Sequence, residues 1–315
     1  MKMKGNLKER KGITLIALVV TIIILLILAG VTIYFAVNSG LIEKTQEAKN
    51  KSEQATQNEL NTLNEIYGEL NGYLPNEETV ENISKTESYV GYYADIDGDK
   101  TVDGIIYADL AKGNTGDGQW YDSDGNYTIP VTEGVKDYYI SKTNYEGSFG
   151  TKDVLSPTGT GKDRFYIMAL TDIDGKQNGT LYSWYNAAYG NMSDYATATS
   201  GDFGTGKANT NAMIAKWDAK AYGEQDKSAD YKDMWGQIKS QVAKGWFVPS
   251  RAEWSAFAEE LGITKENYAN KGLSDYYWSS AQSSANYAYL ANFGDGYMDN
   301  YHVNLNYYVR LSATF

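Results

Sequence analysis

The segment that most constrains the fold is the last part of the chain, residues 275–315. Ala288 and Leu290 alternate there with Tyr287 and Tyr289, which is the two-residue period of a strand that buries one face. The apolar side must be covered by a core, while the tyrosine side is left towards solvent. The pattern therefore predicts a terminal sheet with one face available for contacts.

The composition of this segment is typical of a surface that recognises other molecules. Tyrosine and asparagine recur through it, and neither lysine nor arginine occurs between Lys271 and Arg310. Tyrosine supplies rigid contact area at little entropic cost, and asparagine adds adaptable hydrogen bonds. The lack of cations disfavours a strongly acidic ligand. Arg310 itself lies in an alternating run and is expected to be a structural hydrogen-bonding residue.

The charge balance and the residue counts exclude several classes of function. The chain of 315 residues carries a formal net charge of −12, although residues 1–12 are basic. We expect no nucleic-acid partner, because phosphate binding requires a basic face. Cysteine is absent and His302 is the sole histidine, so thiolate nucleophiles and His/Cys metal sites are not expected. The sequence predicts no enzyme and no required cofactor.

The amino-terminal part predicts a membrane helix. Residues 13–37 carry no charge and are long enough to cross a bilayer. The basic residues 1–12 would keep the amino terminus in the cytoplasm and place the remainder outside. Apolar residues at spacings of three and four between positions 60 and 74 predict that the helix continues as an amphipathic stalk. A cleaved signal peptide and a flexible charged linker are the alternatives.

The sequence KGITLI around Gly12 and Ile13 resembles the class III leader of type IV pilins. The resemblance covers about residues 1–70 and implies cleavage after Gly12 by a prepilin peptidase. Ala17 occupies the position where that family usually carries a glutamate, whose carboxylate helps to dock the incoming subunit. The resemblance therefore implies a minor or tip subunit of a pilus, or a protein left in the membrane, with other pilins as further candidate partners.

An aspartate-rich turn is a candidate calcium site. Its spacing, D-x-D-G-D-x-x-x-D, can bring oxygen ligands to one hard cation. The aspartates concerned are Asp95, Asp97, Asp99 and Asp103. The match to an EF-hand fails at Lys100, where glycine is required, and at Ile106, where a bidentate glutamate is required. An ordinary hairpin turn rich in aspartate is the alternative, and calcium would be structural.

Residues from 163 onward are predicted to form a compact mixed region. Ser250 and Glu253 form a capping box that opens a helix, and Gly262 would end it. The other predicted elements are strands at 164–170 and 245–248, and helices at 181–189, at 211–222 and around 235–242. Two further strand segments, 89–94 and 104–110, precede this region.

Three motifs in this region carry a second resemblance. They are GWFVPSRAEW at 245–254, YWSS at 277–280 and YVRLSATF at 308–315. They resemble the C-type-lectin-fold variable proteins diversified by retroelements, and the wider formylglycine-generating-enzyme-like superfamily, over about residues 150–315. The resemblance implies that a reverse transcriptase randomises asparagine codons in the last strands and loops, and that the fold displays the result as a ligand-binding face. The enzymatic activity is not implied, because its cysteines are absent.

The residues are compatible with this mechanism. Randomising the first two bases of AAC or AAT gives Tyr, Asp, His, Ser, Leu or Asn, but never Lys, Glu, Gln, Met or Trp. The positions that satisfy this rule are Asn286, Tyr287, Tyr289, Asn292, Asp295, Tyr297, Asp299, Tyr301, His302, Asn304, Leu305, Asn306 and Tyr307. Trp278, Gln282 and Met298 are then expected to be fixed framework. A tyrosine-rich sheet without a retroelement is the alternative.

The predicted fold class is α+β, with a long amino-terminal transmembrane and pilin-like helix, a small β-rich region and a C-type-lectin-like domain. The expected boundaries are a leader at 1–12, the helix at 13–74, the β-rich region at 75–150 and the ligand-binding domain at 151–315. The expected function is that of a cell-surface, adhesin-like or receptor-like protein that binds an unknown extracellular protein or glycan. The alternatives are a minor pilin or pseudopilin with a structural head, and a hydrolase that uses Asp295 and Asp299.

Overall fold

The computed structural model describes most of the chain, namely residues 15–38, 41–71, 82–116 and 126–315. Contacts divide the chain into two compact units, Met1–Glu78 and Thr79–Phe315. The predicted processing site at Gly12 and Ile13 lies outside the described residues.

The described part of the first unit is helical. It consists of α1 (Leu15–Asn38) and α2 (Leu41–Asn71). The predicted continuous helix over residues 13–74 is therefore wrong. Residues 39 and 40, between the two helices, lie outside the described residues.

The prediction of a membrane-spanning segment is also wrong. In the part of the chain that the structure describes, no helix combines the length and the apolarity that crossing a bilayer requires. This finding corrects both the fold class with its transmembrane, pilin-like helix and the expected single-pass localisation at the cell membrane.

The second unit is a mixture of strands and short helices. Its strands are β1 (Tyr93–Ala94), β2 (Gly104–Asp109), β3 (Asn114–Gly116), β4 (Tyr127–Ile129), β5 (Asp137–Gly147), β6 (Gly150–Thr158), β7 (Phe165–Ala169), β8 (Tyr182–Ser183), β9 (Tyr276–Gln282), β10 (Tyr287–Asn292), β11 (Tyr297–His302), β12 (Asn306–Tyr307) and β13 (Ser312–Thr314). Its α-helices are α3 (Tyr195–Ala198), α4 (Gly206–Asp218), α5 (Met234–Gln237), α6 (Lys239–Val242) and α7 (Arg251–Glu260), and two 3-10 helices lie at Asn186–Ala188 and Tyr268–Lys271.

A six-stranded sheet joins the two ends of this unit, in the order β13-β7-β2-β1-β6-β5. The carboxyl-terminal strand β13 pairs antiparallel with β7, and β7 pairs antiparallel with β2. Strands from either side of residue 150 therefore share one sheet. The predicted division into a β-rich region at 75–150 and a separate domain at 151–315 is not a division in the structure, because long-range strand pairing crosses it.

Two buried ion pairs fix the connections around this sheet. Arg164 donates from Nε and Nη2 to the two carboxylate oxygens of Asp109 over 2.8 and 2.9 Å. Arg310 donates from Nε and Nη2 to Oδ1 of Asp172 over 2.9 and 2.8 Å, and Tyr277 Oη donates to the same oxygen. Removing one partner of such a pair would leave a buried charge uncompensated. The predicted structural role of Arg310 is confirmed.

Predictions of single elements hold where the local sequence decides the conformation. The capping box of Ser250 and Glu253 is present at the start of α7, and the predicted strand at 164–170 is β7. The predicted helix at 181–189 is instead β8 followed by a 3-10 turn. The reason is that Ser183 pairs with the distant strand β12, so tertiary pairing overrides the local pattern.

Candidate functional site

The predicted variable residues of β10 and β11 belong to a three-stranded sheet with the order β11-β10-β9. Directly opposed residues of an antiparallel pair project to the same side. Tyr287 opposes His302 and Tyr289 opposes Asn300 on one side, whereas Asp299 opposes a buried leucine on the other. The structure therefore divides the predicted variable residues between two surfaces of one sheet.

The first surface, which we call the histidine face, comprises Tyr287, Tyr289, Asn300 and His302. The hydroxyl of Tyr287 and Nε2 of His302 share a hydrogen bond of 2.7 Å, and their ring centroids are 4.0 Å apart. The ring of Tyr189 covers the imidazole at 4.8 Å. The imidazole is thus held between two tyrosines, and its Nδ1 is buried without a hydrogen-bond partner in the structure.

A polar cleft of about 390 Å³ borders the histidine face. The guanidinium of Arg251 stacks on the ring of Tyr289 at 4.8 Å and forms one side of the cleft. Asp202 and Ser283 contribute polar atoms, and the buried amide of Gln282 lies at the wall with Oε1 unpaired. This cleft brings a predicted variable tyrosine next to a cation that lies 38 residues earlier in the chain.

The second surface, which we call the acidic tyrosine face, comprises Tyr276, Tyr297, Asp299, Tyr301 and Tyr307. The ring centroids of Tyr276 and Tyr301 are 6.2 Å apart, those of Tyr276 and Tyr307 are 5.2 Å apart, and those of Tyr301 and Tyr307 are 5.5 Å apart. Tyr297 is exposed, and the other four residues are partly exposed. These rings form a continuous aromatic patch beside a carboxylate.

The electrostatics of the acidic tyrosine face are set by Asp299. Its negative charge is the largest cause of the raised pKa of Tyr297. For Tyr301 the largest cause is burial, and Asp299 raises the pKa further. Burial, followed by the neighbouring tyrosines and Asp299, raises the pKa of Tyr307 to about 12. All three tyrosines are therefore neutral hydroxyl-bearing rings at physiological pH, and they lie next to the carboxylate of Asp299.

Some predicted site residues have structural contacts. Asn292 is completely buried, donates from Nδ2 to Oδ2 of Asp295 over 2.9 Å, and accepts from the backbone N–H of Asp295 over 3.0 Å. Asn306 donates from Nδ2 to the backbone carbonyl of Asp230. The remaining predicted residues, Asn286, Asn304 and Leu305, lie in the connecting loops and are partly or fully exposed.

Tryptophan side chains hold β9 in place. The indole N–H groups of Trp184 and Trp254 donate to the carbonyls of Ser279 and Trp278 in β9 over 2.8 and 3.2 Å, and Trp278 donates to the carbonyl of Tyr182 over 2.8 Å. The first two donors satisfy backbone carbonyls of β9 inside the core, and the third joins β9 to β8. They fix the position of the strand next to both contact surfaces.

The aspartate turn brings three of the four predicted calcium ligands together. One oxygen from each lies within 4.8 Å of the others: Asp95, Asp97 and Asp99. The buried carboxylate of Asp95 accepts hydrogen bonds from the N–H groups of Gly98 and Lys100 and from Ser156 Oγ. The fourth predicted ligand, Asp103, accepts from the N–H of Ile96. The turn is thus closed by its own backbone.

Calcium binding at this turn stays a prediction. Burial raises the pKa of Asp103, and the charges of Asp97, Asp95 and Asp99 raise it further. A divalent cation would relieve this repulsion, so we expect added calcium to raise the melting temperature of the protein and a chelator to reverse the rise. The substitution Asp97→Ala should abolish it, because it removes an exposed carboxylate ligand. Identical melting curves with calcium and with chelator would exclude the site.

Sequence reasoning missed four residues at these surfaces, namely Tyr189, Arg251, Tyr276 and Asn300. Tyr276 carried a signal, because it lies two residues before Trp278 and tyrosine is one of the residues that the randomisation rule allows. Tyr189 and Arg251 come from distant parts of the chain, and no local pattern marks them. Comparison with known proteins assigns none of these residues a role, since no family model matches the chain and no curated protein matches it.

Proposed function

We propose that this protein is a ligand-binding protein whose terminal sheet, β9 to β11 with the loop at 303–308, presents contact residues that a retroelement diversifies. The observation that supports the proposal is the separation of roles along β10. Tyr287 and Tyr289 are partly exposed, whereas Ala288 and Leu290 between and after them are completely buried. Side chains on the exposed positions can therefore change without altering the core.

The chemistry of the exposed positions is suited to recognition. Tyrosine rings are rigid and amphipathic, and they are common among the residues that dominate the energetics of protein interfaces. The tyrosines of both surfaces lie next to a group that adds specificity, Arg251 and His302 on the histidine face and Asp299 on the acidic tyrosine face. The resemblance of the three terminal motifs to diversified variable proteins supports the same assignment.

The DNA that flanks the gene tests the proposal. We expect a reverse-transcriptase gene beside a near-repeat of the 3′ coding end, and the two copies should differ at adenines. Sequences from many cells of one lineage should then vary at exposed positions such as Tyr289, Tyr297 and Tyr301 and remain constant at Trp278 and Gln282. Absence of the repeat, or variation centred on the two framework positions, would overturn the proposal.

A further inference from the structure

A stripe of alternating aromatic and acidic side chains runs along β11. Tyr297, Asp299 and Tyr301 are alternate residues of the strand, and all three oppose β10 residues on the same side of the sheet. Alternate residues of a strand are about 7 Å apart. A single carboxylate therefore lies midway between two tyrosine rings that reach solvent.

The rings of the acidic tyrosine face support this stripe from one flank. Tyr307 packs on the buried Trp278 with centroids 5.0 Å apart, and it contacts the rings of both Tyr276 and Tyr301. These contacts hold the ring of Tyr301 in a fixed orientation. A ligand would thus meet a rigid surface and would lose little binding energy in ordering it.

The fixed charges around the stripe are predominantly negative. Besides Asp299, two exposed carboxylates lie here, those of Asp275 and Asp295. Burial is the largest cause of the raised pKa of the neighbouring Tyr276, and the charges of these three aspartates raise it further. Among the described residues, no ion pair involves these carboxylates. The exposed Lys265 lies near the β10–β11 turn. Its Cβ is 3.8 Å from the position that a Cβ on Gly296 would occupy. Three carboxylates therefore lie around Tyr276, and none of them has an ion-pair partner among the described residues.

We propose that the acidic tyrosine face, in the sequence carried by this chain, binds a basic segment of a partner protein. A lysine or arginine side chain of the partner would lie over the ring of Tyr297 or Tyr301 with its charge at the carboxylate of Asp299. This inference rests on the proposed function and names the class of ligand for one of its two surfaces.

Two physical arguments favour a cation over other ligands. Aromatic ring faces attract cations that lie within about 6 Å of the centroid, and a neighbouring carboxylate adds to that attraction. An apolar partner would bury Asp299 without compensating its charge, which is costly, and an acidic partner would be repelled. A basic segment satisfies the rings and the carboxylate at the same time.

The test uses a fluorescein-labelled peptide of alternating glycine and lysine, with binding to the full chain followed by fluorescence anisotropy. The same peptide with every lysine acetylated is the control, because acetylation removes the charge and keeps the length. We expect the charged peptide to bind and the acetylated peptide to bind at least about tenfold more weakly. Equal binding of both peptides would contradict the proposal.

Matched variants distinguish binding of the peptide at the acidic tyrosine face from nonspecific electrostatic attraction to an acidic protein. Asp299→Asn should weaken binding by about threefold to tenfold. Glu133→Gln, which removes one negative charge from an exposed loop elsewhere, should leave binding unchanged. Tyr301→Phe keeps the ring and should bind like the native protein, whereas Tyr301→Leu should bind about fivefold more weakly. Equal effects of the two charge variants, or of Phe and Leu, would overturn the assignment.

The outcomes also distinguish this inference from the proposed function. Failure of the lysine peptide to bind, together with lineage variation at Tyr297 and Tyr301, would reject the basic ligand and leave the diversified binding surface in place. Specific binding of the peptide without any lineage variation would reject diversification and leave the cation site in place.

Discussion

At the scale of single residues, Asn292 joins the end of β10 to the turn that leads into β11. Its amide holds both the carboxylate and the N–H of Asp295, and it is completely buried. We expect Asn292→Ala to lower the free energy of unfolding by about 1–3 kcal/mol, because it removes the two hydrogen bonds that this completely buried amide makes with Asp295. The exposed Asn300→Ala should change it by less than about 0.5 kcal/mol.

Urea unfolding of both asparagine variants tests this assignment. Equal stability of Asn292→Ala and Asn300→Ala would show that the turn does not depend on the buried amide. Position 292 obeys the codon rule for diversification. We nevertheless expect it to stay asparagine in any lineage, because its side chain makes two hydrogen bonds with Asp295.

Glu253 is a second residue whose environment predicts a measurable effect. It is completely buried, and its carboxylate accepts hydrogen bonds from the N–H groups of Ser250, Gly204 and Gly206. Burial raises its pKa from 4.5 to about 7, against the opposing effect of these hydrogen bonds. The native state therefore binds a proton between about pH 4.5 and 7 that the unfolded state does not bind.

The sign of the pH dependence follows from this difference. The contribution of Glu253 to the free energy of unfolding is fully present below pH 4.5 and is lost as the pH rises through about 7, by up to about 3 kcal/mol. Glu253→Gln is uncharged at every pH, so its stability should depend less on pH over this range. Parallel stability profiles of the native protein and the variant would contradict the prediction.

At the scale of elements, β10 offers a direct test of the alternation between core and contact positions. Leu290 is completely buried, while the adjacent Tyr289 is partly exposed. We expect Leu290→Asn to lower the free energy of unfolding by about 2–4 kcal/mol, because it removes buried apolar surface and buries an amide. Tyr289→Asn, a change that diversification itself would make, should cost less than about 1 kcal/mol.

Chemical denaturation of Leu290→Asn and Tyr289→Asn measures the loss of stability at two neighbouring positions of the same strand. A cost for Tyr289→Asn as large as that for Leu290→Asn would mean that the exposed side chain is part of the core, and diversification of the strand would then be incompatible with folding. Binding assays on the same proteins would show whether Tyr289→Asn affects recognition independently of stability.

The elements also show what local sequence can predict. The two-residue period of β10 was sufficient to separate buried Leu290 from exposed Tyr289. The split of the variable positions between two faces was not predicted, because it depends on how β11 pairs with β10. Register places Tyr297, Asp299 and Tyr301 opposite the apolar positions of β10, and that register is a tertiary property.

At the scale of the whole molecule, the largest errors concern relations between distant segments. The predicted boundary at residue 150 fails because β1 and β2 share a sheet with β7 and β13. Arg251 and Tyr289 meet although they lie far apart in sequence. The hydrophobic period and the capping motifs are sequence signals within one element. The contacts between distant segments are instead determined by the packing of the complete core.

Phe315, which follows β13, packs against the six-stranded sheet. The ring of Phe315 packs on Phe165 and Tyr138 at 5.6 and 5.2 Å, and its carbonyl accepts hydrogen bonds from Tyr138 Oη and from the N–H of Arg164. We expect Phe315→Ala to lower the free energy of unfolding by about 3–5 kcal/mol, and Phe315→Leu to cost less because it preserves more of the buried volume.

Because β13 ties the terminal sheet to the strands that precede residue 150, the loss should appear in the whole second unit at once. Tryptophan fluorescence reports on the core behind β9, and hydrogen exchange of β2 amides reports on the six-stranded sheet. In Phe315→Ala both measurements should give the same reduced stability. Suppose that the β2 amides stayed as protected as in the native protein while the tryptophan signal changed at a lower denaturant concentration. The three-stranded sheet β9 to β11 would then be an independent folding unit. Substitutions on its contact surfaces would in that case leave the stability of the six-stranded sheet unchanged.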